Sequence, residues 1–353
     1  MRQSLAPYRL RSQRLVGPGL PDPVAVVRHL GAVQSQEHTT APWSIGRRCG
    51  ATLTQVLDAL DVGRVVRIHA LRTTWHHVHL DDLPLVVAAA GDRVMAQVVP
   101  HVRRQGVDEA TLVASSEVVS AAVRDTPGCT RDVIADRLAA AGLPARGDVL
   151  AHVVMAAELR GEIAGRRDPG TQHRYHPVVL TPSPLDAQAA RAWLAATYVR
   201  GHGPAGAADL AWWSSLTLTQ ARRALVDAGL HEVQVAGRSL WTDVDAGALE
   251  SERVDVPPVL LLANFDELIS HARDGDLRAE VGPRYDDVLG GVGILVLDGR
   301  LAGSWNRSVS AGRLEVTVRT DASLSPRHRS ALDEEAQALA TFHGLAEARV
   351  AAS

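Results

Sequence analysis

Between Thr130 and Pro177 the sequence sets out one small structural unit in full: helix, turn, helix, hairpin. Thr130 is placed to cap a helix with the apolar stripe Val133, Ile134 and Leu138, and Gly142 ends it. A second helix is expected from about Asp148 to Leu159. Glu162–Arg166 and Gln172–His176 then read as strands around Asp168-Pro169-Gly170, a strong turn tripeptide. That order is the winged-helix layout. The same grammar occurs twice more, without residue-by-residue identity between copies. Ala205–Trp213 and Thr217–Asp227 predict two helices joined at Ser214-Ser215, followed by strands His231–Val235 and Ser239–Thr242 that turn at Gly237. Near the start, Pro23–Leu30 and Leu53–Leu60 predict helices, and Val65–Ala70 and Thr74–Leu80 predict strands. Helices at 82–104, 108–124 and 184–199 link the units.

From Pro257 the texture changes. Val259–Leu262, Gly293–Leu297, Leu301–Trp305 and Leu314–Val318 are short apolar runs, two of them joined by Asp298-Gly299-Arg300, and an amphipathic helix at about Pro326–Gly344 covers them. Gly290-Gly291-Val292-Gly293 precedes a strand and not a helix, so it reads as a turn, not a phosphate loop. The expected architecture is mainly α with β: three tandem winged-helix (helix-turn-helix) motifs and a β-rich C-terminal domain. The expected boundaries are 1–104, 105–182, 183–256 and 257–353. A tandem of winged helices with a β cap is unusual for a simple repressor, which needs one reading head per half-site.

Composition narrows the function. With 46% hydrophobic and 22% charged residues the chain is a folded protein. Two cysteines, Cys49 and Cys129, exclude a disulfide scaffold or a cysteine-rich zinc site and suit a reducing cytoplasm. The first fifteen residues are arginine-rich and lack the apolar core of a signal peptide. The most apolar stretch, Leu83–Val99, is broken by Asp92 and Arg93, so no membrane span is expected. All 37 basic residues are arginine. Without lysine there is no side-chain Schiff base, no pyridoxal lysine and no Walker-type phosphate lysine. The net charge of −3 is unevenly spread: residues 1–104 carry +6 and the remainder −9. A basic first third on an acidic body suits a single face for an anionic ligand, and arginine forks suit phosphate.

Gln34-Ser35-Gln36-Glu37 directly follows the first expected helix. Taken alone, the two glutamines read as a solvated loop. In order along the chain, however, several segments accumulate. Arg11-Ser12-Gln13-Arg14-Leu15, Leu30-Gly31-Ala32-Val33-Gln34-Ser35-Gln36 and Ser44-Ile45-Gly46-Arg47 resemble the opening of the AlkZ-like winged-helix DNA glycosylases. Arg72-Thr73-Thr74-Trp75-His76 is similar to that family's Arg-Gly-Thr-x-His segment, with Thr73 in place of its glycine. His202-Gly203-Pro204, Asp209 and Trp212-Trp213 resemble a further block, and Asn264-Phe265-Asp266-Glu267 and Asp298-Gly299-Arg300-Leu301-Ala302-Gly303-Ser304-Trp305 resemble two C-terminal signatures.

The resemblance implies three winged helices and a C-terminal β-barrel-like domain around a DNA-sized channel. It implies excision of alkylated purines, notably bulky N7-alkylguanine, by hydrolysis of the N-glycosidic bond. Gln34 and Gln36 fall on the family's Gln-x-Gln catalytic signature, which marks the adduct-resistance branch; the middle position, often aliphatic, is Ser35 here. His76 and Arg72 lie on a family segment and are expected to hold DNA or lesion, as is Arg47. For Arg72 a surface ion pair is the alternative, and for Arg47 and Arg48, near an expected turn, a solvated surface.

The chemistry is reasonable for carboxamides. Alkylation at N7 leaves the purine cationic, so it departs as a neutral base and needs little acid catalysis. What remains is to place a water and stabilise an oxocarbenium-like sugar, and neutral amides can orient that water. Glu37 is a rival base, but in extended chain it points away from Gln36. Without lysine, strand cleavage through an amine is not expected, and the product is an abasic site. His77 and His79 share a strand face near Asp81, but no spacing elsewhere completes a metal site. No metal or cofactor is expected. Trp212-Trp213 is expected to be core, and Asp266-Glu267 to cap a helix. The expectation is therefore a monomeric, cytoplasmic, nucleoid-associated monofunctional glycosylase whose partner is double-stranded DNA carrying alkylated purines, with no membrane partner. The rivals are a non-enzymatic winged-helix transcriptional regulator and a metal-dependent hydrolase built on His77 and His79.

Overall fold

The structure, a computed structural model, describes residues 5–167, 173–178, 183, 185–235, 237–245, 247, 249, 255–272 and 293–352. Several helices begin at side-chain caps. Asp22 accepts from the Ala25 N–H (2.8 Å) ahead of α2 (Pro23–Leu30), which follows the short α1 (Ala6–Ser12). After α3 (Ala41–Cys49), Thr52 and Gln55 form a reciprocal capping box that opens α4 (Leu53–Asp61). The first hairpin follows as β2 (Val65–Ile68) and β3 (His76–His79), with β1 (Val33–Gln34) set between α2 and α3. The linking helices are α5 (Leu83–Arg104) and α6 (Glu109–Asp125), the latter capped by Asp108. The second unit is α7 (Arg131–Ala140), α8 (Gly147–Leu159), β4 (Ile163–Arg167) and β5 (His173–Pro177). The third is α9 (Ala187–His202), α10 (Ala207–Ser214), α11 (Leu218–Asp227), β6 (His231–Val235) and β7 (Arg238–Thr242). The expected turns at Asp168-Pro169-Gly170 and at Gly290-Gly291-Val292 lie outside the described residues, as does Gln172.

The fold is mixed α/β. The hairpins of the first two units join into one antiparallel sheet in the order β1-β3-β2-β4-β5, through a pairing of Arg67 with Gly165. A Cβ on Gly165 would meet the His173 ring at 1.8 Å and the Arg67 carbonyl at 2.8 Å, so glycine is what lets the two hairpins close up. The third hairpin, β6–β7, remains a two-stranded sheet.

The C-terminal part is an open sheet, not the barrel-like form expected. Its order is β12-β11-β10-β9-β8, made of β8 (Val259–Ala263), β9 (Gly293–Leu297), β10 (Arg300–Ser310), β11 (Arg313–Thr320) and β12 (Ala348–Ala352). The edge strands β8 and β12 do not pair, so among the described residues no barrel closes. Helix α13 (Pro326–Phe342), which follows the single turn α12 (Glu267–Ser270), covers the sheet, and β12 returns parallel to β11.

One core joins the first unit to this C-terminal sheet. Trp43, Ile45 and Val56 pack with Leu261, Trp305, Leu332 and Phe342. The indole of Trp43 donates to the Leu261 carbonyl (2.7 Å) and that of Trp305 to the Leu262 carbonyl (2.8 Å), which ties α3 to β8. A second core lies among α5, α9 and the third unit, and a third under α6 to α8. Among the described residues α5 is a helix long and apolar enough to span a bilayer, but it packs against α8 and α9 with Val86, Ala90, Val94 and Val98 buried. It is a core helix.

Candidate active site

Gln34 is positioned by three elements that converge from distant parts of the chain. Gly31 ends α2 with φ of +78° and turns the chain into β1. There Val33 and Gln34 pair antiparallel with His77 and His76, and the Ser35 N–H continues the ladder to the Trp75 carbonyl at 2.8 Å. From β2, Arg67 reaches the same segment and donates to the Ser35 carbonyl (2.9 and 3.2 Å) and hydroxyl (3.3 Å). The backbone between the two glutamines is clamped on both sides. Ser35 is buried against that guanidinium, which is why the middle residue is polar here.

The side chains are held as well. The Gln34 N–H donates to Glu267 Oε1 at 2.8 Å, and Arg72 Nη2 donates to Gln34 Oε1 at 3.0 Å. Because arginine only donates, this bond assigns the carboxamide orientation: Oε1 faces Arg72, leaving it one lone pair and Nε2 two N–H donors. Gln36 is exposed, and its Oε1 accepts from the Trp75 N–H at 3.3 Å. Arg72 is itself tied by Nη1 to the Ser270 carbonyl (3.0 Å), and its guanidinium sits 5.7 Å from the Trp212 ring centre.

Glu267 is the deepest member. It is fully buried, and its second oxygen, Oε2, lies 3.1 Å from His202 Nε2 and 3.3 Å from Trp213 Nε1. Burial pushes its carboxyl upward, but the His202 hydrogen bond and the Gln34 N–H outweigh it and hold it below the usual glutamate value. The carboxylate therefore stands anionic directly behind Gln34 and offsets the charge of Arg72. Asp266 beside it accepts the Leu268 N–H (2.9 Å) as a cap and meets Arg48 through two bonds of 2.8 and 2.9 Å, both side chains wholly buried.

The expected site residues separate into two places. Gln34, Gln36, Arg72 and His76 come together. His76 is fully buried beside Gln34, and apart from a weak backbone contact at Thr74 neither ring nitrogen has a partner among the described residues. Burial, then the Arg72 charge, lowers it to about 3, so the ring is neutral. Arg47 lies elsewhere, on α3, where its Nη2 meets Glu335 Oε1 of α13 at 2.7 Å. Its neighbour Arg48 lies in the last turn of the same helix, which ends in the expected turn at Gly50; it is not on a solvated surface but is an internal anchor, bonded to Gln13, Ser44 and Asp266. Of the tryptophan pair, Trp213 is core as expected, whereas Trp212 is 38% exposed over Arg72. Glu267 does more than cap. His77 is neutral by burial, at about 3, and His79 Nδ1 accepts from the Asp81 N–H. Among the described residues no group of three histidines, cysteines or acids could hold a metal.

Arg67 and the anchoring role of Glu267 were not legible from spacing. The only sequence signal for Arg67 is a charge in the apolar run Val65-Val66-Arg67-Ile68, which in a strand flanked by neighbours demands a specific partner.

Comparison with known proteins places this geometry. The family described as DNA glycosylase AlkZ-like matches residues 27–342, which contain every residue of the cluster except Gln13. The chain belongs to this family. AlkZ-like enzymes are DNA repair glycosylases, and that coarse function holds for this chain. Among solved structures it is similar to the DNA glycosylase AlkZ of Streptomyces sahachiroi, with a TM-score of 0.81 at 20% identity over the whole of both chains. That likeness is one of fold. No curated protein matches the sequence.

Proposed function

We propose that this AlkZ-like chain is a monofunctional DNA glycosylase that hydrolyses the N-glycosidic bond of cationic N7-alkylguanine in duplex DNA, bulky antibiotic-derived adducts and crosslinks included. The observation that supports this best is the immobilised Gln34 carboxamide, held by Arg72 at one end and backed by the anionic Glu267. In the proposed reaction the C1′–N9 bond breaks heterolytically. Its electron pair stays on N9 and neutralises the cationic purine, which leaves as a neutral base. Water held between Gln34 Oε1 and the Gln36 carboxamide adds to C1′ of the oxocarbenium-like sugar and loses its proton to solvent. The buried Glu267 charge favours the cationic transition state electrostatically without touching the sugar. Such a site lacks the acid that an uncharged purine would require. Glu37 is exposed, with its backbone carbonyl accepting from the Thr40 and Ala41 N–H groups at the start of α3, and takes no part in the proposed reaction.

Arg72 holds the lesion side of the site, with the fully buried His76 packed behind it and out of reach of the DNA, and Arg47, 23% exposed beside Glu335, clamps the DNA backbone. The absence of lysine supports hydrolysis without β-elimination. We place the protein as a monomer on the nucleoid, acting in self-resistance to DNA-alkylating compounds. A duplex carrying one N7-methylguanine, and a second carrying an antibiotic adduct at N7, test the reading. Strand breaks that appear only after alkali support it; breaks without alkali would contradict the monofunctional assignment, and none on either duplex would leave a DNA-binding regulator.

A further inference from the structure

Paired residues on neighbouring strands share a face, so Gln34, His76 and Ile68 point to one side of the five-stranded sheet and Val33, His77, Arg67 and Tyr175 to the other. On that second side lies a cleft of about 680 Å³. Its floor is a rigid set of rings. The Arg67 guanidinium sits 4.3 Å from the Trp75 ring centre and 3.2 Å from His173 Nδ1, while His173 packs 4.5 Å from Trp75 and 4.8 Å from Tyr175. Burial keeps His77 and His173 uncharged, at about 3 and about 2, and Arg67 is committed to Ser35. The wall opposite is aliphatic, formed by Leu53, Leu57 and Leu60 of α4. The rim carries Arg131, Arg166 and Arg307, drawn from α7, β4 and β10, and none has an ion-pair partner among the described residues.

The cleft touches the catalytic segment. Trp75, whose N–H holds Gln36, also lines it, and so do His38 and Thr39 just beyond Gln36. Strand β1 is the edge of its sheet, so a substituent on a purine at Gln36 has only to pass that edge to enter. A pocket of this size suits a drug-sized ligand, and a methyl group needs none of it.

We propose that this cleft receives the planar, apolar body of the group bonded to N7, between the ring floor and the α4 wall, while the rim arginines hold phosphates on either side. The proposal rests on the reading of the chain as an N7-adduct glycosylase and names how a bulky lesion is recognised: by the adduct and not by the base alone.

The test compares two lesions in one duplex sequence, N7-methylguanine and the N7-guanine adduct of a polycyclic aromatic epoxide, with wild type, Leu57→Trp and Leu53→Trp. Single-turnover excision and fluorescence-anisotropy Kd are read for each, with undamaged duplex as the binding control. Filling the cleft is expected to lower excision of the bulky adduct by roughly tenfold or more and to abolish the tighter binding of the adducted duplex. Excision of N7-methylguanine and affinity for undamaged duplex stay unchanged. Equal losses on both lesions, or no loss on the bulky one in either variant, would overturn the cleft assignment while leaving the glycosylase in place. Wild type that excises neither lesion overturns the enzymatic reading itself. Adduct-selective binding lost in the tryptophan variants would still support the cleft in that case.

Discussion

Arg48→Met should unfold the site from behind. Arg48 and Asp266 are both wholly buried and share two bonds of 2.8 and 2.9 Å, and the same guanidinium satisfies the Gln13 carbonyl and side chain and the Ser44 carbonyl. Removing one partner leaves a buried carboxylate uncompensated, which costs about 3–5 kcal/mol. The loss should depend on pH. In the wild type, burial opposes and Arg48 then outweighs it, so Asp266 sits below its ordinary value of 3.8. Its stabilisation is present above that value and lost as pH falls through the lower folded one. In Arg48→Met burial, the largest effect, is opposed only by the Leu268 N–H and the Ser44 hydrogen bond, so the carboxyl is expected to rise above its unfolded value and stability to fall as pH rises between the two. The deficit should therefore be larger at pH 8 than at pH 5. Asp266→Asn keeps the shape and an acceptor for the Leu268 N–H, so adding it to Arg48→Met should restore much of the loss. Urea unfolding of wild type, both singles and the double at three pH values measures the cycle. A double mutant that loses the sum of the singles, or a deficit equal at every pH, would refute the reasoning. Excision should fall alongside stability, because the anchored turn carries Glu267 and Ser270.

Three further outcomes are expected. Glu267→Gln keeps an acceptor for the Gln34 N–H but turns an amide donor toward His202 and Trp213; kcat should fall by about 100-fold with KM for lesion DNA nearly unchanged, a split that a general folding defect would not give. Arg72→Met frees the Gln34 carboxamide and should lower kcat by about 10²-fold, whereas Arg72→Lys recovers only part, since one ammonium cannot fork to Gln34 Oε1 and the Ser270 carbonyl together. On acidification, His76 and His77, buried neutral at about 3, should each withdraw about 2 kcal/mol of stability between pH 7.5 and 5, because their stabilisation is full above the unfolded value of 6.5 and lost below it; Tm against pH should flatten by that share in His77→Asn, and an unchanged slope would contradict it.

The sequence was most informative where a local signal and the final packing agree. α2, bounded by Asp22 and Gly31, runs over the expected residues, and α7 follows its apolar stripe, with Thr130 at the N-cap position but making no side-chain cap bond. α3 carries Pro42 in its first turn, where proline is tolerated, and Gly46 in its interior, which speaks against a helix by propensity. Tertiary contact overrides that: a Cβ on Gly46 would meet the Phe342 ring at 2.5 Å, so glycine is the residue that lets α3 approach α13. The joined wing sheet depends on Gly165 meeting Arg67 across nearly a hundred residues, and β12 pairs parallel with β11 after a whole helix; neither leaves a mark on local pattern. At the site, Gln34, Gln36, Arg72 and His76 were reached through resemblance, since two glutamines in a loop have no chemical signature of their own. Glu267 was visible only as a cap because its partners, Gln34 and His202, are supplied by distant strands and helices.

The central claim is that Gln34 and Gln36 perform chemistry on a cationic lesion that the rest of the protein binds. Single-turnover excision of a lone N7-alkylguanine by Gln34→Ala and Gln36→Ala, with Kd for the same duplex measured alongside, tests it directly. The account predicts that each rate constant falls by about 10²-fold or more while Kd stays within a few-fold of wild type. Rates close to wild type, or a rate loss matched by an equal loss of affinity, would contradict it.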